Sequence, residues 1–203
     1  MSELYDTLRK MIRQELASQR FAELALVQEV FPADPDNYAC DLALRDSSLV
    51  LKQVPLLTPR KGLAAVPDVG DLVLVQFVGG DLNRPVIIGT LYNDEDRPPQ
   101  NAAGQLVINL PSQSDADSAL HLELNEADPM SLKLNIGSAL ELTLQDDDPV
   151  VKLDVGGNAT LSIDRGGAVT LEGKGELAIK GSGNVKIEAG GELNLKGTVI
   201  NLN

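Results

Sequence analysis

The 203-residue sequence contains no tryptophan, one histidine and one cysteine, and aromatic residues make up only 3% of it. Each scarcity excludes something. A lone Cys40 rules out an intrachain disulfide and reads as a small buried strand residue. His121 and Cys40 are far apart in sequence and too few for a His/Cys metal centre, which takes several ligands. Hydrolytic chemistry needs a nucleophile with a base, or paired carboxylates held in a pocket. His121 lies in ALHLEL beside Glu123, on the face opposite Leu120 and Leu122. It has no second anchor for a triad and is expected to face solvent. The Gly-Gly pairs lack the Lys-Ser/Thr of a phosphate-binding loop. Asp146–Asp148 could hold Ca²⁺ through oxygens, but a solvated acidic turn is the simpler reading. The expectation is a protein that is not an enzyme, with no catalytic residue, no metal and no cofactor.

Basic charge is also in short supply. The net charge is −13, with 15 acids against 10 bases in residues 1–99 and 15 against 7 in residues 100–203. A nucleic-acid binder carries a basic stripe and, for single strands, aromatic stacking platforms; neither is present. No apolar run approaches the roughly 20 residues that cross a bilayer. The N-terminus, MSELYDTLRKMIRQEL, is charged and amphipathic and does not read as a signal peptide, so synthesis in the cytoplasm is expected.

What the chain does have is repetition. From Leu153 it can be written in blocks of eight: LDVGGNAT, LSIDRGGA, VTLEGKGE, LAIKGSGN, VKIEAGGE, LNLKGTVI. The first positions are Leu153, Leu161, Val169, Leu177, Val185 and Leu193. The third positions are Val155, Ile163, Leu171, Ile179, Ile187 and Leu195. All twelve are aliphatic, with a polar or small residue between them. Side chains alternate across a strand, so each block is a short strand with one apolar face. Such a unit cannot bury its aliphatic residues alone and must stack. Three copies wound round a common axis would bury every first and third position, so these twelve residues are the expected trimer core. A monomeric β-solenoid is the alternative. Calcium-binding glycine-rich repeats fit poorly, because their period is nine and Asp164 has no counterpart in later blocks.

Upstream, Ser2 to about Ser18 is predicted as a helix, with Ser2 as N-cap and Leu4, Leu8, Ile12 and Leu16 on one stripe. Five strand signals follow between Phe21 and Tyr92, separated by turn residues, a number and rhythm that suit a small Greek-key barrel of the OB type. The segment 94–103, DEDRPPQNAA, is the expected domain boundary. Beyond it, Leu120, Leu122, Leu124, then Leu132, Leu134, Ile136, then Leu140, Leu142, Leu144 alternate as triplets and read as a β neck. The spacing of seven from Leu144 to Val151 reads as a phase slip. The resulting division is a helix over 1–20, an OB-fold domain over 21–95, linker and neck over 96–150, and an octad-repeat β-helix over 151–203. The fold class is mainly β.

One stretch carries a resemblance. PDVGDLVLVQFVGGDLNRPVIIGTLYN, running through Pro67, Gly70, Asp71, Val73, Val75, Gly79–Asp81, Arg84–Val86, Gly89, Leu91, Tyr92 and Asn93, resembles the end of the OB domain in spike proteins of contractile injection machines. These include phage baseplate assembly protein V and the VgrG proteins of type VI secretion. An OB domain followed by a glycine-punctuated octad β-helix is that family's architecture. The resemblance implies a homotrimeric, intertwined β-helical central spike in a phage tail, tailocin or other injection particle assembled in the bacterial cytoplasm. A type VI origin fits less well, because only about 20 residues precede the OB domain. The partners it implies are hub and tail-tube proteins, contacted through Leu4, Leu8, Ile12 and Leu16, and a small PAAR-type tip protein at Thr198, Val199, Ile200 and Leu202. Contact with the membrane would be transient and mechanical. The His-x-His motif by which some short spikes hold iron is missing, and neither a lysozyme domain nor a fused effector is expected. A trimeric receptor-binding or carbohydrate-active tail fibre is the alternative, disfavoured by the absence of tryptophan.

Overall fold

The computed structural model describes residues 2–18, 20–32 and 38–201, and within the N-terminal helix the side chains from Leu4 to Arg13. The chain divides into two compact units, 1–98 and 99–203.

The first unit begins with α1 (Ser2–Ser18) and continues with β1 (Ala22–Phe31), β2 (Ala39–Leu44), β3 (Val50–Pro55), β4 (Leu72–Phe77) and β5 (Pro85–Leu91). The strand order is β3-β2-β1-β4-β5, antiparallel throughout. Register shifts occur in β1–β2 between Val27 and Glu29, in β2–β3 between Cys40 and Leu42, and in β4–β5 between Leu74 and Val75. Such bulges coil a strand and increase its twist. The coiled sheet closes on itself: Leu56 pairs with Ile87 in a parallel bridge, and the Leu57 amide donates to the Ile87 carbonyl at 2.9 Å. Five strands with a parallel β3–β5 closure make the OB barrel that the sequence predicts.

The barrel fills itself with the inward half of each alternation: Val27, Cys40, Leu42, Leu44, Val54, Val73, Val75, Phe77 and Ile87, none more than 2% exposed. The turn into β4 is tied to β1, since Gly70 donates to the Val27 carbonyl and Val27 to that of Asp71. Gly70 takes a φ of +99°, which a side chain would oppose. Gly79 and Gly80 also have positive φ in the turn between β4 and β5.

One buried charge sits in this wall. Asp41, 3% exposed, accepts from Lys52 Nζ at 2.5 Å and from the Gln53 amide at 2.8 Å. Gln53 has a φ of +49°, so the carboxylate pins a backbone conformation that a non-glycine residue rarely adopts. Burial by itself pushes the Asp41 carboxyl up; the hydrogen bonds from Lys52 and Gln53, with the Lys52 charge, outweigh it and leave the pKa below the ordinary 3.8.

The second unit is one antiparallel meander of seven strands: β6 (Gln105–Leu110), β7 (Leu120–Asn125), β8 (Ser131–Ile136), β9 (Leu140–Gln145), β10 (Val151–Val155), β11 (Ala159–Ile163) and β12 (Val169–Gly173). The neck and the first three octads thus form one sheet, each strand hydrogen-bonded to its chain neighbour. The seven-residue step from Leu144 to Val151 is not a phase slip. In an antiparallel hairpin it sets Leu144 directly opposite Val151, apolar against apolar. After Gly173 no strand is assigned among the described residues, and every described residue from Lys174 to Asn201 is exposed. The fourth to sixth octads have no ladder within this chain.

Asp41→Ala is expected to leave the Gln53 amide unsatisfied and to destabilise the barrel by about 1–3 kcal/mol at neutral pH. Because the folded pKa is lowered, the stabilisation is present above the ordinary value of 3.8 and is lost as pH falls through the folded value. Urea unfolding across pH should therefore show the gap between the two proteins narrowing in acid. A gap constant with pH would exclude the ionised staple as its source.

Candidate assembly surface

The register of the second unit sorts its side chains into continuous rows. One row on the apolar face is Leu106, Leu124, Leu132, Leu144, Val151, Ile163 and Val169. The middle row is Ile108, Leu122, Leu134, Leu142, Leu153, Leu161 and Leu171. A third holds Leu110, Leu120, Ile136 and Leu140, and in the lower strands Val155, Ala159 and Gly173. Two residues apart along each strand, these side chains all lie on one face.

That face is uncovered in the single chain. Leu106 is 56% exposed, Leu110 61% and Leu171 53%. A contiguous apolar surface of this size marks an interaction site on a soluble protein. An open concavity of about 960 Å³ lies at one end of the strands, lined in part by Leu106, Leu124, Leu132, Leu144, Val151 and Met130.

The opposite face is polar and more closely packed. Its rows include Glu123, Lys133, Thr143, Lys152, Ser162 and Thr170, and Asn109, His121, Asn135, Glu141, Asp154, Thr160 and Glu172. Thr143 is buried. His121 does not face open solvent as its sequence position suggests. Its side chain is 12% exposed, with Nδ1 2.5 Å from Asn109 Oδ1 and Nε2 3.6 Å from Glu123 Oε2. The cross-strand neighbour Asn109 and the same-face neighbour Glu123 cover the ring, because side chains two apart along a strand and directly across it share a face.

The residues of the expected trimer core fall into two groups. Leu153, Val155, Leu161, Ile163, Val169 and Leu171 lie on the apolar face of β10–β12. Leu177, Ile179, Val185, Ile187, Leu193 and Leu195 lie beyond the last strand and are 53–68% exposed. The sheet also extends the apolar face upward through β6 to β9, whose residues the octad pattern alone leaves out; the leucine triplets were the signal for them. In the N-terminal helix Leu4, Leu8 and Ile12 are exposed together with Tyr5 and Met11, while the Leu16 side chain lies outside the described residues. At the C-terminus Thr198, Val199 and Ile200 are exposed, and Leu202 lies outside the described residues.

The groups with chemical potential are otherwise engaged. Burial, and next to it the Asp41 charge, push the Cys40 thiol up, so it is a poor source of thiolate. Asp146 and Asp148 are tied to Arg165: its guanidinium reaches the Asp146 carboxylate at 2.5 Å and the Asp146 carbonyl, and its amide donates to Asp148 Oδ1 at 2.7 Å. Among the described residues no three His, Cys, Asp or Glu side chains are grouped to hold a metal ion.

No curated protein matches the chain. Residues 54–92, from the end of β3 through β5, match the family model described as the type VI secretion system/phage-baseplate injector OB domain. The match covers the closing half of the barrel, including the Leu56–Ile87 bridge and the Gly70–Asp71 turn. Over residues 54–92 the chain is thus similar to the injector OB domain of type VI secretion systems and phage baseplates, which supports a baseplate protein of that kind, as the sequence resemblance implied.

Proposed function

We propose that this protein is the homotrimeric central spike of a contractile tail or related injection particle, a mechanical component without catalytic chemistry. The injector OB domain supports a spike-related role in a baseplate. The observation that carries the trimer is the aliphatic face of β6–β12. Three rows of apolar side chains need a cover, and three such sheets facing a common axis cover one another completely. The middle row from Ile108 to Leu171 then lies nearest the axis, and the Lys, Glu, Asp and Thr of the polar face point outward. Seven strands at about 4.8 Å spacing give a prism about 29 Å long. Below it the octads from Leu177 onward, which form no strand ladder within the described residues of their own chain, pair with the two other copies and extend the needle as an intertwined β-helix.

In this reading the OB barrels sit toward the tail tube, and the exposed stripe of Leu4, Leu8 and Ile12, continued by Leu16, contacts hub or tube proteins. The exposed Thr198, Val199 and Ile200, with Leu202, are assigned as the docking residues for a PAAR-type tip protein. Contraction would drive the assembled spike through the target-cell envelope. Stiffness comes from a dry aliphatic core and continuous β pairing, and the charged outer face keeps the needle from adhering to lipid.

Light scattering is expected to give three times the 21.6 kDa chain mass. Leu142→Asp or Leu171→Asp should abolish that assembly, because three carboxylates would meet in one dry layer. A wild-type protein that runs as a stable monomer would overturn the reading. Removal of residues 197–203 should leave the trimer intact while eliminating capture of a PAAR-type tip protein; retained capture would exclude the docking role.

A further inference from the structure

The meander gives the second unit two edges of unlike character. Successive links alternate between them. One edge carries links 126–130, 146–150 and 164–168, joined to each other where Arg165 reaches back to Asp146 and Asp148. The other carries links 111–119, 137–139 and 156–158, adjacent where Gly156 approaches the Ser138 carbonyl. The links of the first edge are five residues long and bear six carboxylates and Arg165. On the second edge, 137–139 and 156–158 are three-residue, uncharged links built from Gly, Ser, Ala and Asn.

Height along the sheet distinguishes them further. Link 146–150 joins β9 to β10. The two short links join β8 to β9 and β10 to β11, so each lies one strand spacing, about 4.8 Å, above or below it. Beside the short links, at the second edge, is a groove of about 370 Å³ lined by Ser138, Gly157, Lys152, Glu141, Asp117 and Asp154. Counted in strand spacings, it falls at the same step as link 146–150 on the far edge of the same sheet.

A three-fold rotation carries no translation along its axis, so equivalent strands of every copy sit at one height, and each edge meets the unlike edge of its neighbour. The geometry points to a corner joint: link 146–150 of one copy seats in the groove beside links 137–139 and 156–158 of the next copy, with 126–130 and 164–168 overlapping above and below. This rests on the three-copy reading above. Shape rather than charge makes the seat. The groove holds three carboxylates, of which Glu141 faces Lys152 at 3.9 Å and Asp154 accepts the Gly157 amide at 2.7 Å. Small residues on the receiving edge leave room for the longer link. The joint is directional and fixes the order in which copies follow one another round the axis.

Paired cysteines test it. In full-length protein, Asp147→Cys with Ser138→Cys should give covalent three-chain species with a short bismaleimide, at a yield at least tenfold above either single variant. The same-edge pair Asp147→Cys with Ala127→Cys should give none. Native mass measured on the same samples separates the two claims. A trimer with no interchain links in the unlike-edge pair, or with links from the same-edge pair, overturns the joint and leaves the trimer standing. A monomer overturns both.

Discussion

The second half of this chain is governed by apolar surface that it cannot bury by itself. Burial of an aliphatic side chain contributes about 1.5–3 kcal/mol, and most of the residues in the three rows of β6–β12 forgo much of that in a single chain. The OB barrel shows the contrast within one polypeptide. Its five strands coil through three bulges, close at Leu56–Ile87, and turn Val27, Leu42, Val73, Val75 and Phe77 into a core that water does not reach. The second sheet has the same alternation of apolar and polar positions but no closure of its own. Its apolar face stays open across all seven strands.

The two halves use polar groups in correspondingly different ways. In the barrel a single ionised Asp41 is worth its desolvation because it satisfies the Gln53 amide and holds a left-handed residue in place. In the sheet the polar groups lie in rows on the face opposite the apolar one, where cross-strand neighbours such as His121 and Asn109 satisfy one another.

Much of this was legible in the sequence. Strands β1 and β4 alternate clearly, Gly70–Asp71 marks the turn into β4, and Gly79–Gly80 marks the hairpin between β4 and β5. The triplets at Leu120, Leu132 and Leu140 and the octads from Leu153 announce one-sided strands. What periodicity could not tell was how consecutive strands pair. A repeat of eight is compatible with a wound helix or with hairpins, and only the link geometry decides, as the opposition of Leu144 and Val151 demonstrates. The environment of His121 is illegible for a related reason: alternation assigns a face, but the cover supplied by Asn109 and Glu123 depends on register. The change of pairing after Gly173 carries no compositional mark, since the blocks before and after it have the same aliphatic positions and similar glycine content.

The most direct measurement is hydrogen exchange on the purified full-length protein, comparing amides in β6–β12 with those of residues 177–195. In the single chain the latter have no ladder, whereas three intertwined copies would bond them continuously. Slow exchange at the aliphatic pairs 177/179, 185/187 and 193/195, comparable to that of β10 and β11, is the expected result. Exchange there at the rate of an unstructured chain, while β6–β12 remains protected, would contradict the intertwined spike.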